Sequence, residues 1–460
     1  MSYNFRPYAQ DQMYLMPPSI TEWVSEASLA RFTSEVLDEM DREGKLAAVY
    51  HQYREDGWGS AAYHPVMMVK ILVYGYCMGI TSSRRMAQAL ESDIAFRYLS
   101  AAQQPDFRTI ADFRRLHLHA LAELFVHVLA LCREAGLVKL GRVALDGRRV
   151  AANAALDQNR TVKSLEEAVQ HLLDEAERLD RAEDRCYGAA RGDELPAGLR
   201  TQAGRLQRLQ EAKRRLEHAQ GQAMQAQVTK IEARRRQETE TGQKRRGRKP
   251  RLPEEVIDRD AKVNLTDLDS RILKSRHGWI QGYNGQAMAD CDSQVIVACE
   301  LVAQENDVRQ LGPMLERCET QAGAQPTQLV ADAGYWSEEN ATLQNADTEL
   351  FIATLKDWKQ RKALRDQGAP KGRIPHGATI RDRMERKLLT RRGKAIYQQR
   401  GRTIEPVFGQ MSMRGLNRFW LRGLQKVKAE WSLWCTTHNL LKLWRSGFWP
   451  ARVKACAMAY

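Results

Sequence analysis

The sequence predicts a multidomain α + α/β protein, in which a helical N-terminal domain precedes an α/β core. Apolar residues recur at helical spacing through about the first 135 positions. From about residue 140, short β-branched runs bounded by glycine indicate strands. Between these strands, residues 160–260 carry a heptad-like pattern and a basic tail. The 460 residues allow two to four domains with a sizeable buried core.

The chain is strongly basic, with 71 Lys and Arg, 57 Asp and Glu, and a net charge of +14. This excess favours an extended polyanion as partner; we expect nucleic acid, with an anionic membrane surface as the alternative. No apolar run reaches about 18 residues and no signal-peptide pattern opens the chain, so we expect a cytoplasmic protein without membrane contact. Eight scattered cysteines without a Cys-x-x-Cys pair indicate reduced thiols and no zinc site.

Residues 1–138 are predicted to form a helical domain for DNA binding or dimerisation. Pro65 suits the first turn of a helix, and Val66, Val69 and Val73 follow at helical spacing. Residues 79–100 resemble two short helices around a turn, and a further helix starts near Thr109. This order fits a helix-turn-helix reader of DNA, or equally a helical packing domain with a basic surface. The basic residues near the last helix start are Arg108, Arg114, Arg115 and His117.

Residues 160–260 are predicted to be a helical hairpin inserted after the first strand, serving as an arm or a dimer element. Apolar residues repeat at heptad-like spacing in each half. The positions are Leu165, Val169, Leu172, Ala176 and Leu179, then Leu209, Ala212, Leu216, Ala219, Ala223 and Ala226. A basic tail follows, and either minor-groove insertion or plain phosphate contact would suit it. Its predicted DNA-binding residues are Lys244, Arg245, Arg246, Arg248 and Lys249.

The predicted core comprises residues 139–159, which contain the first strand, and residues 261–356. After the first strand come two strands joined as a hairpin, then strands joined by helices. That order predicts a ribonuclease-H-like fold. In that fold the ends of the first and fourth strands meet at the centre of the sheet, which would bring Asp146 and Asp332 together.

Three carboxylates stand out from these patterns. Asp146 follows the apolar run 143–145, and Asp332 follows the run 329–331, so each is expected at a strand end. Glu405 lies between Thr403, a good N-cap, and Pro406, which suits a first helical turn, so we expect a helix to begin there. Alone, each carboxylate is adequately explained as a turn, cap or first-turn residue. Together they predict a metal site.

Carboxylates without histidine or thiolate partners favour Mg²⁺ or Mn²⁺. Two such ions would deprotonate a nucleophile and neutralise the charge that develops during phosphodiester cleavage. A metal-free acid pair would suit glycoside hydrolysis, but the basic surroundings argue against a neutral sugar. We therefore predict a metal-dependent phosphodiester enzyme with Asp146, Asp332 and Glu405 as catalytic residues and metal ligands.

Residues 357–402 are predicted to be a basic insertion, and residues 403–460 to hold the glutamate helix and the C-terminal helices. From Lys356 to Arg402 the chain has 16 Lys or Arg and four acids, which predicts a phosphate-contacting surface. Tyr397 and Arg400 could hold a terminal phosphate. Trp358 could stack on an unpaired base or pack at the rim of the core. The predicted DNA-binding residues of this part are Trp358, Tyr397, Arg400, Arg402 and Arg414.

Several motifs between residues 63 and 443 resemble insertion-sequence transposases of the IS1182 group, within the IS4-like DDE class. They are YHPVMMVKILVYGY, DFRTIADFRR, ALDGRRVAANA, NLTDLDSR, GYNGQAMADCDSQVIVA, ADAGYWSEEN and YQQRGRTIEPVFGQM. The resemblance implies a DDE triad of Asp146, Asp332 and Glu405. It also implies a bacterial, nucleoid-associated protein that cleaves at the element ends and joins the 3′ hydroxyl to target DNA. This protein would act as a homodimer in a synaptic complex on terminal inverted repeats.

The resemblance extends to a Tyr-Arg-Glu-Lys signature around the glutamate. Tyr397, Arg400 and Glu405 match its first three members, although four residues separate Arg400 from Glu405 where the general pattern has three. The lysine position falls on Ser412, and Arg414 is the nearest basic substitute. Glu430 is the rival third carboxylate. The other nearby acids are read mainly as turn or supporting residues; they are Asp267, Asp269, Asp290 and Asp292.

Two other functions remain compatible with the sequence. One is a catalytically silent DNA-binding protein derived from a mobile element. The other is a ribonuclease-H-like nuclease without strand transfer, which would cut DNA but never join it to a target.

Overall fold

The computed structural model describes residues 19–449 except 54–60, 166, 169–201, 244–249, 257, 259–260, 276–277 and 369–370. Within these residues the protein combines helices with a mixed sheet, which confirms the predicted mixture of helical and α/β parts. The basic residues of the predicted tail, from Lys244 to Lys249, lie outside the described residues.

The N-terminal part is helical, as predicted. Its helices are α1 (Ile20–Trp23), α2 (Leu29–Arg42), α3 (Pro65–Met78), α4 (Ser83–Ser92), α5 (Ile94–Leu99), α6 (Phe107–Leu116) and α7 (Leu118–Glu134). Pro65 occupies the first turn of α3, where its missing N–H costs nothing, and the helix is buried over most of its length. Gly79 ends α3 with φ +76, and a Cβ there would lie 2.6 Å from the Arg414 carbonyl oxygen, so only glycine fits.

Two arginines of α6 differ in what they can contact. The Arg114 guanidinium is buried and donates to the Tyr76 hydroxyl at 3.2 Å and to the Thr81 carbonyl at 3.0 Å. Arg115 is exposed and pairs with Asp112 at 3.2 Å. Arg114 is therefore a packing residue rather than a member of a DNA-reading surface, because its donors are directed into the protein.

The strands of the core are β1 (Arg142–Ala151), β4 (Arg271–Ser275), β5 (Gly278–Asp290), β6 (Ile296–Val302), β7 (Gln328–Ala331) and β8 (Glu349–Ile352); β2 (Asn159–Arg160) and β3 (Val263–Asn264) form a separate pair. The sheet order is β4-β5-β1-β7-β8, and β6 also pairs with β5. Strand β1 runs antiparallel to β5 and parallel to β7, and β7 runs parallel to β8. The central strand is thus the one that carries Asp146.

The remaining helices include α8 (Gln202–Thr241), α9 (Leu311–Ala322), α10 (Glu338–Thr342), α11 (Trp358–Gln367), α12 (Ile380–Leu389), α13 (Arg391–Met413) and α14 (Leu424–Arg445). Helix α13 packs across β1, β5 and β7, while α14 packs against β6 and α7. The buried Trp431 of α14 donates to the Gln286 carbonyl at 3.2 Å. These contacts fasten the N-terminal helices to the sheet through α14.

The predicted hairpin is only partly within the described residues. Its second half is the 40-residue helix α8, whereas most of the first half, residues 169–201, lies outside. Leu209, Ala212 and Leu216 of α8 are buried with Leu165 in a small cluster, as their spacing predicts. The described part therefore confirms the long helix and the first three positions of its apolar stripe. The later alanines do not continue it, because Ala219 and Ala226 are exposed and Ala223 is only half-buried.

The predicted start of the glutamate helix near residue 403 is wrong. Helix α13 begins after Thr390, whose side chain accepts from the Gly393 N–H at 2.9 Å, and runs without a break across residues 402 and 403. Pro406 is inside the helix, so it cannot donate to the Arg402 carbonyl. The Gln294 side-chain amide donates to that carbonyl instead, at 3.1 Å. A distant residue thus satisfies the acceptor that the proline leaves open.

Among the described residues, no individual helix has the length and apolar composition needed to cross a bilayer. Two pairs of successive helices, α3 with α4 and α6 with α7, meet the length and composition criteria only when the two helices are taken together, and each pair is sharply bent.

Candidate active site

Asp146 and Asp332 lie on neighbouring parallel strands. The pairing of β1 with β7 stops at Leu145 and Ala331, so each aspartate is the first residue beyond the paired segment. Asp332 follows the end of β7, as predicted. Asp146 does not end its strand, because β1 continues to Ala151 along β5. At Asp146 the strand β1 therefore loses its β7 partner and keeps its β5 partner.

Backbone amides orient one oxygen of each aspartate. Asp146 Oδ1 accepts from the Gly147 N–H at 2.9 Å, and Asp332 Oδ1 accepts from the Gly334 N–H at 2.7 Å. The second oxygen of each carboxylate faces the cation described next.

Arg400 of α13 contacts all three predicted triad carboxylates. Its Nη2 lies 2.9 Å from Asp146 Oδ2 and 3.9 Å from Asp332 Oδ2. Its Nη1 lies 3.4 Å from Glu405 Oε1. The three carboxylates therefore all lie around one guanidinium. The structure thus brings together residues that are far apart in the sequence.

The three carboxylates differ in exposure. The side chains of Asp146 and Arg400 are 17% and 16% exposed, whereas that of Glu405 is 56% exposed. Burial raises the pKa of Asp146 to about 7; the Asp332 and Asp307 carboxylates add to the rise, and Arg400 opposes it. Burial lowers the pKa of Arg400, but the surrounding carboxylates outweigh this effect and raise it, so the guanidinium stays charged.

Asp307 is a fourth carboxylate at this site, and the sequence analysis missed it. It lies in a 3-10 turn, Asp307–Arg309, after β6. Its Oδ1 accepts from the Asn284 and Gln286 side-chain amides, each at 2.7 Å. Asp307 lies beyond the end of β6 and not directly at it, so the strand-end pattern that marks Asp146 and Asp332 does not mark this residue.

The buried Tyr335 lies close to Asp146, Asp307 and Asp332. The Tyr335 hydroxyl donates to the side-chain oxygen of Gln286, whose amide group donates to Asp307. Burial raises the pKa of Tyr335 well above its usual value, so the phenol stays protonated and can donate. The Tyr335 hydroxyl is therefore a lasting hydrogen-bond donor to Gln286.

The predicted DNA-binding residues occupy different surroundings. Tyr397 lies one turn before Arg400 on α13, and Arg402 is exposed. The Arg414 guanidinium is directed at α14, where it donates to the Thr437 hydroxyl at 3.2 Å and lies 5.6 Å from the Trp434 ring. Arg414 would have to leave this position to meet a phosphate. The side chain of Trp358 is outside the described residues.

Ser412 occupies the signature lysine position but supplies no positive charge there. Its hydroxyl donates to the Phe408 carbonyl at 2.7 Å, a bond within the same helix.

Glu430, the rival third carboxylate, lies elsewhere. It is buried and accepts from the Trp420 and Leu421 N–H groups at 3.0 and 2.9 Å. Asp267 accepts from the buried Tyr283 hydroxyl, and Asp290 accepts from the Lys139 N–H at 3.1 Å. All three carboxylates hold loops and strands together: Asp267 and Asp290 through these bonds, and Glu430 through the backbone N–H groups of Trp420 and Leu421.

The donors of the site suit a hard divalent cation, because they are all carboxylate oxygens. Within the described residues, however, no three His, Cys, Asp or Glu side chains converge closely enough to hold a metal ion. The Arg400 guanidinium lies between the carboxylates and neutralises part of their charge. Arg400 would have to release Asp146 Oδ2 before that oxygen could bind a cation.

Two family models match the chain. A transposase domain matches residues 18–116, and a transposase DDE domain matches residues 373–444. The second match contains Arg400 and Glu405, and the first covers α1 to α6. No curated protein and no solved structure matches the chain.

Proposed function

Because the chain is a DNA transposase of the DDE type, similar to the IS4- and IS1182-like enzymes, we propose that Asp146, Asp332 and Glu405 are its catalytic triad. The observation that carries this proposal is the single guanidinium of Arg400, which contacts all three carboxylates. Glu430 offers no alternative, since its carboxylate is committed to backbone N–H groups elsewhere.

The core is proposed to be ribonuclease-H-like. In support, an antiparallel hairpin of β5 and β6 follows β1, and β7 and β8 then add in parallel on the other side of β1. Asp146 on the central strand and Asp332 after β7 are adjacent in this arrangement. Helix α13 then supplies Glu405 from across β1 and β7.

DDE transposases generally use divalent metal ions, and we propose two Mg²⁺ or Mn²⁺ ions for this chain. Asp146, Asp332 and Glu405 would hold them. When bound, such ions lower the pKa of a water or hydroxyl nucleophile and stabilise the charge on the phosphate that is attacked.

The residues of the chain have distinct proposed parts in DNA cleavage. The Gly147 and Gly334 N–H groups fix the orientation of the two aspartates, so that the second oxygen of each faces Arg400. Arg400 keeps its positive charge. If metal ions bound the carboxylates, its guanidinium would release them and could bind a phosphate oxygen instead. Arg402, exposed on the same helix, would contact the DNA backbone, as would the basic residues 244–249.

DNA is the partner of this enzyme. The terminal inverted repeats of its own element, a target duplex and a homodimer in a synaptic complex are proposed. The 40-residue helix α8 supports an extended arm, because a helix of this length reaches about 60 Å.

The test is a cleavage and joining assay with the purified full-length chain. The substrate is a linear duplex that carries both DNA ends flanking the reading frame, with Mg²⁺ and a supercoiled plasmid as target. We expect cleavage and joined products from the wild type and neither from Asp332→Asn or Glu405→Gln.

Asp292→Asn is the matched control, because it removes the same charge from a side chain that is 67% exposed and pairs with Lys139. Full activity in Asp332→Asn would overturn the triad. Cleavage without joined products would favour the nuclease, and binding without cleavage would favour the silent DNA-binding protein.

A further inference from the structure

We propose that a basic groove between α8 and the start of α14, remote from the triad, binds the phosphate backbone of the DNA duplex that the enzyme cleaves. This inference rests on the proposed function. It assigns DNA contacts to four residues that the sequence analysis does not connect with DNA, namely Arg214, Arg271, Arg422 and Lys426.

The basic groove consists of two adjoining cavities, of about 510 and 900 Å³, which share Arg215 and Leu268 in their linings. The lining comes mainly from α8, from residues 266–271 and from residues 420–426. Seven Lys or Arg side chains and three Asp or Glu side chains line the two cavities together. A concave surface with an excess of positive charge concentrates the electric field, so it attracts an extended polyanion.

Three of these cations already have acidic partners. Arg215 lies 2.8 Å from a Glu211 carboxylate oxygen and also pairs with Asp269. Arg208 lies 3.6 Å from the same Glu211 carboxylate. Arg115 pairs with an acid of its own helix, α6. These three residues therefore hold the groove together and add little net charge to it.

The other four cations have no carboxylate within ion-pair distance in the part of the chain that the structure describes. Arg271 donates to a carbonyl of its own loop at 3.1 Å, and Arg422 donates to the Asn153 carbonyl at 2.8 Å. Arg214 and Lys426 are exposed and have neither a hydrogen bond nor an ion pair among the described residues. The groove thus presents four positive charges that no described carboxylate contacts.

Trp420 lines the groove beside these cations and is fixed at two points. Its indole N–H donates to the Thr81 hydroxyl at 2.8 Å, and its backbone N–H donates to the Glu430 carboxylate at 3.0 Å. The side chain nevertheless remains 45% exposed. An aromatic face beside unpaired cations suits a nucleic acid, whose sugars and bases pack on the ring while the phosphates meet the charges. A flat anionic membrane fits a concave groove less well.

Strand β1 connects the groove to the active site. The Phe419 N–H donates to the carbonyl of Ala151, the last residue of β1, at 2.8 Å, so the segment that enters the groove begins at that end of the strand. Asp146 lies five residues earlier in β1, roughly 17 Å away at the rise of a strand. This distance equals about five base pairs of a duplex. DNA that is cleaved at the triad would therefore reach the groove about five or more base pairs from the cleaved phosphate.

The test measures DNA binding by the full-length chain in EDTA, by fluorescence anisotropy, at several salt concentrations. The duplex carries one of the DNA ends that flank the reading frame, with at least about ten base pairs on each side of the cleavage site. We expect Lys426→Ala and Arg214→Ala each to weaken binding about 3- to 10-fold near 0.1 M salt, and to lower the salt slope of the logarithm of affinity by about 1. Both side chains are exposed, so the melting temperature should not change.

Lys139→Ala is the matched control and should bind like the wild type. This lysine is 66% exposed and precedes β1, at the opposite end of the strand from the groove. The losses in the groove variants should be equal on an unrelated duplex of the same length, because phosphate contacts carry no sequence information. They should disappear on one of two duplexes, each shortened on a different side of the cleavage site to fewer than about five base pairs.

Unchanged affinity and salt slope in the Arg214→Ala/Lys426→Ala double variant would overturn the proposal. Equal losses in Lys139→Ala would reveal a general charge effect and would also overturn it, as would losses that persist on both shortened duplexes. Weaker binding to anionic phospholipid vesicles with unchanged DNA binding would assign the groove to a membrane instead. Asp332→Asn should bind DNA like the wild type in EDTA, so failure of the groove and failure of the triad are separate results.

Discussion

Neutralising Asp146 should stabilise the metal-free protein at alkaline pH while it abolishes catalysis. The pKa of this carboxyl is about 7 in the folded chain and 3.8 as an ordinary value. The folded state therefore holds the proton between about pH 4 and pH 7, where the unfolded chain has lost it. As pH rises through this window, the folded protein loses stability relative to the unfolded chain. Above about pH 7 the carboxylate is ionised in both states, and the full free-energy cost of burying its charge remains.

The magnitude follows from the size of the shift. One pKa unit corresponds to about 1.4 kcal/mol, so roughly three units give an upper value of about 4 kcal/mol. An asparagine resembles the protonated acid and avoids this cost. We expect Asp146→Asn to raise the free energy of unfolding by about 2–4 kcal/mol at pH 8 and to leave it nearly unchanged at pH 4.

The assay is urea unfolding in EDTA at pH 4, 6 and 8, followed by tryptophan fluorescence. Asp292→Asn should change stability by less than about 0.5 kcal/mol at every pH, because its side chain is exposed. An Asp146→Asn variant that is no more stable than the wild type at pH 8 would refute the reasoning, as would a gain of equal size at pH 4.

Three further predictions concern residues that hold the site in place. Glu430→Gln should lower the free energy of unfolding by about 1–3 kcal/mol in urea while the remaining folded protein still cleaves DNA, since the buried side chain loses one of the two oxygens that accept from the Trp420 and Leu421 N–H groups, away from the chemistry. Gln294→Ala should cost about 1–3 kcal/mol and speed amide hydrogen exchange around residue 402, because the Arg402 carbonyl loses its donor; unchanged exchange would contradict this. Burial lowers the pKa of His438 to about 3, so its contribution to stability is lost as pH falls below 6.5, by about 2–3 kcal/mol at pH 4.5, and His438→Gln should flatten that part of the pH profile.

Local patterns predicted a large part of the core. Apolar runs and glycines marked the strand of Asp146 and the end of the strand before Asp332, since backbone pairing and side-chain alternation follow from nearby residues. In α13, Ile404, Val407 and Met411 recur at helical spacing, and all three are buried on one face of the helix. These features depend on short segments, so the sequence carries them directly.

Local rules failed where a distant group changed the outcome. Thr403 and Pro406 looked like a helix start, but Gln294, remote in sequence, supplies the hydrogen bond that lets the helix continue through the proline. Asp307 belongs to no repeating pattern, and only the pairing of β5 with β1 brings its amide partners beside Asp146.

The sequence by itself determined the charge of the chain, the identities of the three acids and the apolar stripes that place them on strands and a helix. The tertiary structure alone decided that one arginine, Arg400, contacts all three acids and that Asp307 is their neighbour. The physical reason is that a guanidinium or carboxylate acts over a few ångströms. Which groups come that close depends on how β1, β7 and α13 pack, and no single segment encodes that packing.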